Sequence, residues 1–186
     1  MLRFKITILS LLLCFVSAIS FAQSKDAALK ASVVTAAKKM DGYLMKKDYR
    51  SFVHTTYPKA VQMIDGGYDK LYEELKGQIS TMEKANNTIL SVWPGAPSNI
   101  IDTAGELQCT IPQFMKLKVD YGMLTTETTL MAFSMDKGKT WYFMDVVDRS
   151  LDKIREVFPG VSSKLVIKKS PEPKFTRDPE KKVKNN

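Results

Sequence analysis

Residues 123–147 read MLTTETTLMAFSMDKGKTWYFMDVV, and this stretch decides the fold. Two arms, Met123–Phe133 and Lys139–Val147, flank the segment Ser134-Met135-Asp136-Lys137-Gly138. Ser134 and Asp136 carry oxygens able to accept hydrogen bonds from the N–H groups of a turn, and Gly138 can take the positive φ that closes it. Trp141, Tyr142 and Phe143 place aromatic mass on both faces of the second arm, as a central strand does. The spacing predicts a β-hairpin. It describes shape and carries no chemistry.

Upstream of the hairpin the period is first helical and then alternating. Leu29, Val33, Ala36, Ala37, Met40, Tyr43 and Leu44 recur at helical spacing, which predicts a first helix from Lys25 to Lys47. Asp48 is placed to cap a second helix from Tyr49 to Thr56, ended by Pro58. Lys59–Ile64 reads as a short strand, and Asp65-Gly66-Gly67 as a turn. Tyr68, Leu71, Tyr72, Leu75, Ile79 and Met82 mark a third helix running to Ala85, closed by Asn86-Asn87.

From Thr88 the pattern alternates. Thr88–Trp93 is an expected strand, and Pro94-Gly95-Ala96-Pro97 a rigid break. Leu107, Cys109 and Ile111 alternate with polar neighbours, as do Met115, Leu117, Val119 and Tyr121, which predicts two half-buried strands. Ser150–Val157 reads as a short closing helix or turn, and Lys164–Ile167 as a last strand. Helices followed by antiparallel strands give an α+β class, with the helices on one face of the sheet.

The totals bound the function. Arg3 and Lys5, the apolar run Ile6–Phe15 and the small residues around Ser20-Phe21-Ala22 form an export signal over 1–22, cleaved before Gln23. The run is too short for a permanent membrane span. The chain is thus expected to be periplasmic or secreted. Cys14 leaves with the signal, so Cys109 is the one thiol of the mature chain and is expected to be buried and inert. The precursor carries a net charge of +8, but two positive charges lie in the signal. The tail, residues 168–186, holds seven basic residues against three acidic ones. Its Pro, Lys and Glu content predicts a disordered basic tail. The remaining domain, residues 23–167, is nearly neutral, which is not the footprint of a nucleic-acid binder.

The order of elements resembles the nuclear-transport-factor-2-like superfamily. The resemblance rests on the long first helix, the Lys47-Asp48-Tyr49 step, the Gly66-Gly67 turn and the strand run ending at Trp141-Tyr142-Phe143. The chain is also similar to exported proteins of Bacteroidetes-type bacteria, with Lys139, Trp141, Phe143 and Asp145 at a recurring stretch. The resemblance implies three N-terminal helices packed in a curved antiparallel sheet, a cone or cystatin-like roll, over Lys25–Val147. Members use the cone as an enzyme pocket or as a binding or dimerisation scaffold, so it leaves activity open. Their catalytic Asp–His or Tyr–Asp pairs have no residue-by-residue match here. Separately, Ser134-x-Asp136-x-Gly138-x-x-Trp141 fits the Asp-box hairpin of sialidase propellers. A propeller needs several copies and this chain has one.

Chemistry-bearing residues are few. His54, the only histidine, is the one candidate general base, with Asp65 as its candidate orienting group. Tyr57, Trp93, Tyr121 and Tyr142 are the candidates to line a cavity, with Met115, Met131 and Met144 in nearby register. No metal-ligand spacing, nucleotide loop or activated-serine motif is present, and no cofactor is implied. The sequence favours a non-enzymatic binding module for a small apolar or amphipathic ligand or a protein partner. A small hydrolase or isomerase using His54 is the first alternative. Association of the basic tail with an anionic envelope surface is the second. A homodimer across the sheet is the candidate assembly, opposed by Lys116 and Lys118 if they lie on its outer face.

Overall fold

The computed structural model describes residues 26–103, 105–146 and 149–178. The expected export signal with its expected cleavage before Gln23, and residues 179–186 of the expected tail, lie outside the described residues. No helix among the described residues is long and apolar enough to cross a membrane.

The sheet is built on a long antiparallel pair, β3 (Glu106–Val119) and β4 (Gly122–Ser134). They pair from Leu107↔Ser134 to Val119↔Gly122 without a register shift, and Asp120-Tyr121 joins them. The outer edge of β3 takes two short strands, β1 (Thr88–Pro94) opposite residues 113–118 and β2 (Ile101–Thr103) opposite residues 106–108. The two strands expected at 107–111 and 115–121 are therefore one. Pro112, which cannot donate, sits inside it. Its carbonyl accepts from Gly95 N–H at 2.8 Å. N–H and C=O of one residue point to the same side of an antiparallel strand, so the missing donor falls in the gap between β1 and β2.

The outer edge of β4 is likewise divided. β5 (Tyr142–Asp145) pairs with residues 130–133, and β6 (Lys174–Arg177) with residues 122–125. The hairpin read from residues 123–147 is present, with a longer first arm and a second arm cut to Tyr142–Asp145, and Val147 lies outside the described residues. Its turn follows the predicted chemistry. Gly138 N–H donates to Ser134 Oγ at 2.8 Å, and Asp136 Oδ1 accepts from Lys139 N–H, Thr140 N–H and Ser134 Oγ. The backbone N–H of Thr140, first among these, holds the Asp136 carboxyl below the usual carboxylate range. Gly138 has φ +88°.

Five helical segments among the described residues accompany the sheet. α1 spans 26–45, and α2 (Tyr49–Val53) starts at Asp48, whose Oδ1 accepts from Ser51 N–H at 3.1 Å. α3 (Pro58–Val61) replaces the strand expected at Lys59–Ile64. Pro58 at its first turn carries no donor to lose and is preset for a helix, so it starts one as well as ending the segment before it. α4 is Gly67–Lys84 and α5 is Leu151–Val157.

Both sheet faces are covered, whereas the sequence pattern assigns helices to one. Val33, Ala37 and Met40 of α1 pack with Cys109, Ile111, Leu130, Ala132, Trp141 and Phe143. On the opposite face Met131, Phe133 and Met144 pack with Tyr57, Val146, Ile154, Val161 and Leu165. The alternation of β4 assigns Leu130 and Ala132 to one cluster and Met131 and Phe133 to the other. Each such fully buried side chain contributes about 1.5–3 kcal/mol, against about 0.5–1.5 for a turn hydrogen bond. Packing on both faces outweighs turn chemistry.

The last segments depart from expectation. Residues 164–167 form no strand. They cross the second face instead of pairing at an edge, and the hydroxyls of Thr110 and Thr129 donate to the carbonyls of Val166 and Lys168. Part of the expected disordered tail is β6. Its four residues are exposed, so it is held by main-chain pairing to a free edge, which ignores side-chain charge. A Cβ at Gly122 would overlap Thr176 O. Gly122→Ala should therefore detach β6 and speed tryptic cleavage after Lys174 and Arg177. Global stability should change by less than about 1 kcal/mol in thermal melts, because no core contact is lost.

Candidate functional site

Two hollows occupy opposite sides of a thin partition. The first is an apolar chamber of about 450 Å³. Its walls come from α1 (Met40, Leu44), α2 (Phe52), α4 (Leu75, Ile79, Met82) and the sheet (Ile89, Met115, Leu130, Phe143, Met144). Thr55, Thr56, Gln78, Gln113 and Asp145 supply its polar groups. Four methionines make the wall adaptable, since an unbranched thioether side chain repacks at little cost. The volume and the apolar majority fit a small-molecule pocket.

Gln113 links the chamber to a buried carboxyl. Its Nε2 donates to Asp41 Oδ1 at 2.6 Å. Asp41 is only 3% exposed, and its Oδ2 is buried without a hydrogen-bond partner. Burial pushes the Asp41 carboxyl up to about 6, with the Gln113 hydrogen bond opposing. The signal for Asp41 was present in the sequence: it stands four residues after Ala37 and three before Leu44, on the apolar stripe of α1.

The second hollow is a polar cleft of about 710 Å³ between α1, α2 and the β4–β5 turn. His54 and Tyr142 line it, together with Lys39, Tyr43, Lys139 and a set of Ser and Thr residues. The His54 ring lies 4.3 Å from that of Tyr68. Asp65 is not part of the cleft, and no carboxylate among the described residues lines it. Thr55 borders both hollows. Its carbonyl accepts from Phe143 N–H at 2.8 Å, and Tyr57 N–H donates to Phe143 O at 2.9 Å, so this short bridge forms the partition.

The four aromatic candidates are not brought together. Tyr142 alone lines a hollow with His54. Tyr57 is buried, stacked on Phe133 at 3.9 Å between centroids. Its hydroxyl donates to Glu106, which also accepts from Lys59 Nζ at 2.9 Å and Gln108 Nε2 at 2.8 Å. Burial pushes the Tyr57 phenol up to about 12. Tyr57 borders a hollow beside Pro159 and Gly160, apart from both the chamber and the cleft. Trp93 is 40% exposed and stacks on Phe114. It pairs with Phe114 and not with Met115, so it takes the opposite strand phase from the chamber wall. Tyr121 is 49% exposed in the β3–β4 turn. Met115 and Met144 reach the chamber, and Met131 lies in the second core cluster.

Sheet and helices define an α+β protein in which the chamber and the cleft lie on either side of the Thr55–Phe143 bridge. The chain matches no model of a known protein family, no curated protein and no solved structure. Among the described residues no group of three or more His, Cys, Asp or Glu side chains could hold a metal ion.

The raised Asp41 carboxyl gives a signed pH dependence. A carboxyl that titrates near 6 when folded and near 3.8 when unfolded stabilises the fold at low pH. That stabilisation is lost as pH rises through about 6. Asp41→Asn removes the loss. The melting-temperature difference between variant and wild type should shift in favour of the variant from pH 4 to pH 7, by up to about 3 kcal/mol in stability.

Proposed function

We propose that this chain is an exported, non-enzymatic binding module of the nuclear-transport-factor-2-like kind, whose chamber takes a small apolar or amphipathic ligand. The observation that carries the reading is the chamber wall. α1, α2 and α4 and the strands β1, β3, β4 and β5 all contribute to it, which is what a cone of helices closed by a curved sheet requires. Eleven of its sixteen wall residues are apolar, and Gln113, Gln78 and the two threonines offer a few fixed polar contacts. The enzyme reading loses support because His54 lines the cleft and not the chamber, and no lining carboxylate orients it.

The test is titration of the purified protein with the apolar fluorophore N-phenyl-1-naphthylamine. Met115→Trp and Ile79→Trp each place an indole into the chamber from a half-buried position. Wild-type protein should bind the probe, and both variants should bind it at least about tenfold more weakly with unchanged circular dichroism. His54→Ala should leave probe binding intact. A wild type that fails to bind, or filled variants that bind equally well, would remove the proposal.

A further inference from the structure

The polar cleft has a composition that the chamber reading does not use. It is basic without a carboxylate among its lining residues: Lys39 comes from α1, Lys139 from the β4–β5 turn, and His54 from the C-terminal end of α2. Neither lysine forms an ion pair with a described residue, whereas Lys30, Lys47, Arg50, Lys59 and Lys70 all do. Two carboxylates stand near the cleft in sequence, and both are engaged elsewhere. Asp48 caps α2 through Ser51 N–H, and Asp136 Oδ1 is occupied by the donors of its turn. An incoming anion would meet the Lys139 ammonium from the turn and the Lys39 ammonium, which lies 5.9 Å from the centroid of the Tyr43 ring and has no carboxylate partner among the described residues.

The hydroxyls of the cleft say more. Thr35 Oγ1 donates to Ala31 O at 2.9 Å, and Thr55 Oγ1 donates to Phe52 O at 2.6 Å. With their protons committed to helix carbonyls, both present lone pairs, so the partner they suit is a hydroxyl donor. Tyr43 and Tyr142, both half-buried, add aromatic surface for a ligand with an apolar ring face. Cations for a negative group, acceptors for hydroxyls and flat apolar surface together describe a charged sugar. At about 710 Å³ the cleft has room for one or two sugar rings.

We propose that the cleft between α1, α2 and the β4–β5 turn is a second binding site, for a small anionic sugar bearing a carboxylate or a phosphate. Lys39 and Lys139 hold the anionic group, and Thr35 and Thr55 accept from ring hydroxyls. The site is separate from the apolar chamber and stands without it.

Calorimetric titration of the purified protein separates the outcomes, using digalacturonate, glucose 6-phosphate, an uncharged digalactoside and inorganic phosphate as probes. At least one of the two charged sugars should bind, and the one that does identifies the anionic group. The uncharged sugar and inorganic phosphate should each bind at least about tenfold more weakly than that sugar. Lys39→Ala and Lys139→Ala should each weaken binding about tenfold, since each removes one charge-assisted contact. Both side chains are exposed, so folding should be kept, and circular dichroism checks it. The chamber-filled Met115→Trp variant should bind the sugar as the wild type does, which keeps failure of this site distinct from failure of the chamber. Absence of binding by both charged sugars, equal binding of the uncharged sugar or of inorganic phosphate, or unchanged affinity in both lysine variants would overturn the proposal.

Discussion

The unbroken register between β3 and β4 is the constraint on which the remaining architecture hangs. Every other strand pairs with one of these two, and no short strand pairs with another. A side-chain period of two means that a slip of one residue would exchange the faces of both strands. Leu130 and Ala132 would then leave α1, and Met131 and Phe133 would leave the C-terminal segment. Because both faces are apolar and differently covered, the slip is opposed on each side at once. The chamber inherits this fixed register, since Gln113, Met115 and Leu130 reach it from the same strand phase.

Two buried polar groups show how unevenly the interior is satisfied. Glu106 accepts from Tyr57, Lys59 and Gln108, while Gln108 also donates to Gly160 O and accepts from Ser162 N–H. That network ties the turn before α3, the start of β3 and the segment after α5 into one unit. A network with every member paired specifies position well, because any displacement leaves a buried group without a partner. Asp41 is the contrast. One of its oxygens meets Gln113 and the other meets nothing. Buried polar atoms left in that condition are uncommon in folded proteins, and this one lies beside a residue of the chamber wall.

Much of the fold was legible where local chemistry decides. Ser134, Asp136 and Gly138 fix their turn through contacts within a few residues, and Asp48 caps α2 through Ser51 in the same way. The apolar stripe of α1 also read correctly, because helical phase is a local property. The four aromatic cavity candidates were not brought to one hollow, for a different reason. Whether Trp93 or Met131 faces a chamber depends on cross-strand register and on which helix covers that face, and neither is encoded in the strand itself. Tyr57 was misplaced because its aromatic ring suggests a pocket, while its partner Glu106 stands 49 residues away. β6 was invisible for the opposite reason. A strand held by backbone alone leaves no pattern in its side chains.

Cys109 lies in the middle of β3, wholly buried between α1 and the sheet, and burial pushes its thiol up to about 12. It is the one free cysteine among the described residues. In the closed structure its sulfur is neither reachable nor ionised, so an alkylating reagent can find it only when α1 lifts from the sheet or the whole domain opens. The rate of its modification therefore counts openings of the interface between α1 and the central strand pair. The chain carries at its centre a chemical reporter of its own cooperativity, placed there by packing alone.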